Sequence, residues 1–332
     1  MCLHYLGEVY RLQSKYDEAI TIYNTEQEIC ARIGREEGCA NAFYGLGEAY
    51  RCQLQYDQAA SSYNEANKIY ARIGHDEDCV KALKCLQQIY ALTGQPEGGA
   101  NALCCLGKAY CRQSKYDQAA SCYSEAQELF ARIGRDECCA NALYSLGEAY
   151  RCQLQYDQAA SSYSEANKIY ARIGQEEDCV KALKCLQQIC ALTGQHEGWA
   201  NALCCLGEAY CRQSKYDQAA SCYSTAQRVY ARIGLEEDCA NALYGLGKSY
   251  HWESKYDEAA GSYSKAESIY SRIGLDEHRA NALYSLGLVY REQSDNIQAR
   301  SFFSRAENIY GRIGHKKGEG LARFFASRPS RL

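Results

Sequence analysis

Apolar residues recur along the chain in two alternating helical registers. Within residues 140–179 the first holds Leu143, Leu146, Gly147 and Tyr150, spaced three, four and seven apart on one face of an α-helix. It opens on the acidic residues that close the preceding unit (Gln175 and Glu176 mark the same place one unit later) and ends near Arg151. The second runs from Asp157 to Ile173 and holds Ala159, Tyr163, Ala166, Ile169, Tyr170 and Ile173. Asp157 is expected as its N-cap, because a carboxylate accepts from orphan N–H groups and suits the positive end of the helix dipole. Gly174 follows as the left-handed C′ residue, and Arg172 in the last turn suits the negative end. The linker from Gln153 to Tyr156 leaves room only for an antiparallel turn.

The whole pattern repeats. Leu6-Gly7, Leu46-Gly47, Leu106-Gly107, Leu146-Gly147, Leu206-Gly207, Leu246-Gly247 and Leu286-Gly287 mark a forty-residue frame, which predicts a solenoid. One hairpin cannot bury both faces, so copies must stack around a shared core. Gly147 and Ala159 are small where helices approach closely, and Tyr150 and Tyr163 fill the remaining space. Full units occupy 1–39, 40–79, 100–139, 140–179, 200–239, 240–279 and 280–319, with truncated units at 80–99 and 180–199. In the first of these, Val80–Tyr90 reads as a first helix and Tyr90–Gly94 as the end of a second. A truncated unit therefore predicts a single helix, with Gln87 where a close-packing glycine would sit. An odd helix breaks the antiparallel parity. Three blocks are expected, 1–99, 100–199 and 200–319, with the concave face changing direction between them and a basic tail at 320–332 (Arg323, Arg328 and Arg331, after Lys316 and Lys317). Residues 40–139 and 140–239 differ at only sixteen of one hundred positions, a whole-block duplication, so agreement between these copies says little about purpose.

Leu146-Gly147, Tyr150, Ala159, Tyr163 and Ala166 stand at the spacing of the tetratricopeptide (TPR) signature. Over about residues 1–319 the chain resembles TPR proteins, with a forty-residue unit in place of about 34. It is similar to the long-repeat subclass of kinesin light chains, of spindle-orientation adaptors with Leu-Gly-Asn repeats, and of repeat tails on nucleotide-binding signalling receptors. Ala171, where many units carry proline, and Glu26, where the other units carry alanine, depart from the pattern. The resemblance implies an all-α fold, an alpha-alpha superhelix of antiparallel helix pairs. It also implies a non-enzymatic scaffold or adaptor that binds a partner peptide in a concave groove. The alternative it offers is a ligand-sensing or self-association region of a nucleotide-binding signalling receptor.

A second set recurs on each first helix, opposite the core stripe. Asn141, Tyr144, Glu148 and Arg151 share one face, and their counterparts are Asn41, Tyr44, Glu48 and Arg51, then Asn241 and Tyr244 with Lys248 and His251, then Asn281, Tyr284 and Arg291 with Leu288. Asn101 and Asn201 persist where Cys104 and Cys204 replace the tyrosine. In TPR proteins these positions line the groove. A primary amide offers a donor and an acceptor that match a peptide backbone, and the tyrosines would meet ligand side chains. Arg51, Arg151 and Arg291 would serve a phosphate or carboxylate instead. Against this stands a solvated face, on which Glu148–Arg151 is a surface pair and each asparagine bonds to its protein neighbours. Lys81 and Lys181 interrupt the ladder.

Composition narrows the classes. A formal net charge of −4 and a pI near 6.0 give no basic stripe for nucleic acid. No apolar run reaches membrane-spanning length and no secretory signal precedes the first repeat, which favours a cytoplasmic protein. Ser330-Arg331-Leu332 offers a minor peroxisomal alternative. The twenty-one cysteines follow the repeat without C-x-x-C or zinc spacing, and so read as small apolar filler. A redox or metal role would be tested first at Cys111, Cys152 and Cys211. No cofactor is expected. Gly247-Lys248-Ser249 mimics a phosphate loop, but Ala242 replaces its first glycine, and the six histidines show no ligand spacing. The first helix lacks an acidic opening turn, which suggests a piece of a longer array, with self-association through uncapped ends.

Overall fold

The computed structural model describes residues 2–327, so the terminal Ser330-Arg331-Leu332 and the basic Arg328 lie outside the described residues. Among the described residues every regular element is a helix. The chain runs α1 (Cys2–Leu12), α2 (Tyr16–Arg32), α3 (Glu36–Cys52), α4 (Tyr56–Ile73) and α5 (Asp76–Leu92), then α6 (Pro96–Arg112), α7 (Tyr116–Arg132), α8 (Asp136–Cys152) and α9 (Tyr156–Ile173). It continues with α10 (Glu176–Leu192), α11 (His196–Arg212), α12 (Tyr216–Ile233), α13 (Glu236–Trp252) and α14 (Tyr256–Ile273), and closes with α15 (Asp276–Glu292), α16 (Asn296–Arg312) and α17 (Lys316–Ser327). These helices fall into two compact units, Met1–Ile173 and Gly174–Leu332. Each is an all-α array in which a helix packs on its predecessor and its successor. The truncated segments form single helices, α5 and α10.

The turns explain the antiparallel order. After a first-type helix the chain closes a Schellman motif: Gln55 N–H bonds to Tyr50 C=O at 2.9 Å, around Leu54 at φ +60°. After a second-type helix the same motif turns on glycine, as at Gly74 with φ +76°, where His75 N–H bonds to Tyr70 C=O at 2.9 Å. Asp157 is not the N-cap. α9 already begins at Tyr156, so the carboxylate lies inside the first turn, where it suits the dipole. Equivalent second helices are capped by Gln55 or Lys215 without a side-chain bond, whereas Asp295 does cap α16, accepting from Gln298 N–H at 3.0 Å.

Packing follows the small–large pattern. An added Cβ at Gly47 would lie 2.8 Å from the Tyr63 ring, and one at Gly147 would lie 2.8 Å from Tyr163. Tyr63, Tyr163, Ala59 and Ala159 are fully buried. Ion pairs tie the first turn of one helix to the last turn of the next: Arg72–Glu36 at 3.1 Å, Arg172–Asp136 at 3.0 Å, Arg272–Glu236 at 3.1 Å and Arg312–Asp276 at 2.7 Å. The single helices use the same strap, Arg112–Asp76 at 2.6 Å and Arg212–Glu176 at 2.6 Å. α5 and α6 therefore pair in the register of an ordinary hairpin, although both carry first-helix sequence at their N-terminal ends.

Candidate binding face

The recurrent asparagines are anchored from below. The buried tyrosine near the end of each second helix donates its hydroxyl to the asparagine Oδ1 of the first: Tyr70 to Asn41 at 2.7 Å, Tyr170 to Asn141 at 2.7 Å, Tyr230 to Asn201 at 2.6 Å, Tyr270 to Asn241 at 2.7 Å and Tyr310 to Asn281 at 2.6 Å. Asn101 has Phe130 at the matching position and so no such hydroxyl. Asn101, Asn141, Asn201 and Asn241 are exposed, and Asn41 and Asn281 half-buried. The amide oxygen is thus engaged within the hairpin, and the amide N–H groups are the donors that the side chain keeps beyond that bond. The constant interval of 29 residues between asparagine and tyrosine was readable in the sequence and carries this bond.

The glutamates and arginines form a second inward-looking cluster. The Tyr63 hydroxyl donates to Glu48, Arg51 bonds to Glu48 at 2.7 Å, and Arg11 lies 3.9 Å from it. Tyr163, Glu148 and Arg151 repeat the arrangement, with Arg151–Glu148 at 2.5 Å, as do Tyr23, Glu8 and Arg11. Burial pushes the Glu48 carboxyl up, but the hydrogen bonds from Arg51 and Tyr63 outweigh it and hold the carboxyl below its usual range. Arg51 and Arg151 are therefore already neutralised by neighbours one turn away.

The tyrosines are half-buried connectors. Tyr44 packs edge-on to Tyr63 with centroids 5.5 Å apart and reaches Cys85 Sγ on α5 at 3.8 Å. Tyr144 meets Tyr163 at 5.5 Å. Tyr244 meets Tyr263 at 5.3 Å, and its hydroxyl lies 3.2 Å from Ser285 Oγ. Tyr284 packs on Phe303 at 5.4 Å and on Phe325 of α17 at 6.0 Å, while Arg291 lies over the Phe325 ring at 4.4 Å. In the first unit, Asn41 and Tyr44 line a surface cavity of about 140 Å³ together with His4, Tyr70, Asp78 and Lys81. Lys81 of the single helix α5 thus joins this wall.

Sequence reasoning missed the pair beneath it. Glu26, the departure from alanine, is buried and lies 3.1 Å from His4 Nδ1. This hydrogen bond raises the His4 pKa against the lowering effect of burial. The described cysteines are free, and burial pushes the Cys104 and Cys204 thiols up to about 12 and Cys122 and Cys222 to about 11, which depletes the reactive thiolate. Among the described residues no His/Cys/Asp/Glu cluster could hold a metal ion, and no helix is long and apolar enough to cross a membrane.

Comparison with curated proteins finds no match. Among solved structures, a STAND signal transduction ATPase with a tetratricopeptide repeat sensor from Pyrococcus horikoshii is 15% identical with a TM-score of 0.49; the match covers 93% of this chain and half the length of that protein. A putative kinesin light chain from Podosopora anserina, with nearly identical TPR-like repeats, is 17% identical over 64% of this chain and 95% of that one, with a TM-score of 0.34. BtubC from P. vanneervenii is 18% identical over 78% and 93%, with a TM-score of 0.36. The tetratricopeptide repeat profile matches residues 1–72, 99–172, 198–270 and 238–312. With these matches over most of its length and a hairpin built on the Leu-Gly, tyrosine and alanine frame, the chain belongs to the tetratricopeptide repeat family.

Proposed function

We propose that this protein is a non-catalytic adaptor that holds an extended segment of a partner protein along its first-helix faces. The anchored asparagine carries the reading. A hydroxyl bond fixes the amide at Asn41, Asn141, Asn201, Asn241 and Asn281, so that each nitrogen is pre-aimed at a ligand oxygen at little further entropic cost. Neighbouring helices lie roughly 8–10 Å apart, a distance that about three extended residues span, so successive rungs would meet backbone carbonyls at a regular interval. Tyr44, Tyr144, Tyr244 and Tyr284 shape the wall beside them. Arg51 and Arg151, already paired, contribute less to anion recognition than Arg291, which faces Phe325.

The face is read as three blocks, 1–99, 100–199 and 200–319. Arg11–Glu48 and Tyr44–Cys85 link α1, α3 and α5, whereas Arg135–Glu97 links α6 to the start of α8, which supports a change of wall at α5. Free thiols suit a reducing cytoplasm.

Peptide-display selection against the full chain tests the proposal. Enriched peptides should fall into sets that lose about tenfold in affinity on Asn41→Ala or on Asn241→Ala, one charge-neutral hydrogen bond apiece, and less on the unanchored Asn101→Ala. Equal binding to all the variants would overturn it.

A further inference from the structure

A cavity of about 320 Å³ lies in the first unit where α5, α6 and the middle of α7 meet. Its size falls in the range of small-molecule sites. Gln87 of the single helix α5, in place of a close-packing glycine, is among its lining residues. The lining is largely apolar, with Leu103 and Leu129 at its wall and Glu125 as its ionisable group.

The duplicate block points to what fits there. Ten residues line the cavity, and five of them, Tyr90, Pro96, Gly99, Glu125 and Leu129, are among the sixteen positions at which residues 40–139 differ from 140–239; the other ninety positions hold eleven differences. The divergence of the two copies is concentrated on this pocket. In the second copy Gly99 becomes Trp199 and Tyr90 becomes Cys190, so the aromatic ring is carried by α11 in place of α10, and an indole takes the place of a phenol. The backbone accepts such a group: a Cβ at Gly99 would meet only Tyr90 Cβ, at 3.8 Å. The Trp199 indole N–H is buried without a hydrogen-bond partner. Thr225 stands in that copy where the first has Glu125, a stronger acceptor.

We propose that the cavity beside α5 binds a small flat aromatic molecule bearing a ring N–H donor, of the indole class, and that Trp199 occupies the equivalent space in the second block. Ring burial against Leu103, Leu129 and Tyr90 would supply affinity, and Glu125 would accept the N–H bond. The site is separate from the asparagine face and does not depend on its role.

Titration of the full chain with indole, followed by amide chemical shifts, tests this. Saturable shifts centred on Gly94 and Gly99 are expected, with 1-methylindole, which lacks the donor, binding about tenfold more weakly. Gly99→Trp should abolish the shifts, and Trp199→Gly combined with Cys190→Tyr should open a second site of the same kind. The helical far-ultraviolet spectrum of each variant reports its folding. Absence of saturable shifts at Gly94 and Gly99 in the natural chain, or shifts unchanged by a folded Gly99→Trp, would overturn the proposal.

Discussion

Two glycines on facing helices isolate what a side chain costs here. A Cβ on Gly247 would lie 2.7 Å from the ring of Tyr263, which is itself buried and cannot withdraw, whereas Gly261 on α14 faces open space. Gly247→Ala should destabilise the second unit by about 1–3 kcal/mol through overpacking. Gly261→Ala should stabilise it by about 0.5–1 kcal/mol through backbone entropy. Chemical denaturation of both variants checks the pair, and equal effects would refute the close-approach argument. The reverse substitution applies at Leu54, which holds φ +60° and is 69% exposed. Leu54→Gly should gain about 1 kcal/mol, since the left-handed conformation penalises a Cβ by about that much, visible as a higher midpoint in the same experiment. The need for Gly47 and Gly147 was legible from their spacing to Tyr63 and Tyr163. The left-handed leucine was not, because nothing in its residue type announces that conformation.

At the scale of the element, α1 and α2 are joined by an ion pair that the other units lack. His4 hydrogen-bonds to buried Glu26 and has a raised pKa, so its contribution is fully present below the pKa of the unfolded chain and is lost as pH rises through the folded value. The α1–α2 hairpin should therefore loosen on the alkaline side of the histidine range. Amide hydrogen exchange in α1 should show this as a rise in opening that His4→Gln removes. Protection factors in α1 that stay constant with pH, once the base-catalysed intrinsic rate is divided out, would contradict it. Helix positions and the single helices α5 and α10 were readable from periodicity alone. The helix start was misplaced by two residues at Asp157, because a carboxylate favours the first turn almost as much as the cap. The asparagines are legible as a recurring set, but their tyrosine anchors read as core. A buried phenol looks apolar in a hydrophobic pattern, and its hydroxyl registers only when the facing helix is in place.

For the whole molecule, the strap between first and last turns sets a rule of assembly. Arg112–Asp76 and Arg212–Glu176, each at 2.6 Å, have the same sequence separation as Arg72–Glu36 at 3.1 Å, although α5 and α10 come from truncated repeats. Removing residues 76–95 would join Gly74-His75 to Pro96, in place of the natural Gly94-Gln95 entry to α6. That shortened chain should fold cooperatively, with one helix of 17 residues fewer in its circular dichroism and the indole-class pocket gone. A non-cooperative melt would show that α5 is needed as a spacer. The smallest step by which such a lineage can grow is thus one helix, since a lone rod joins the array through the same strap as a pair.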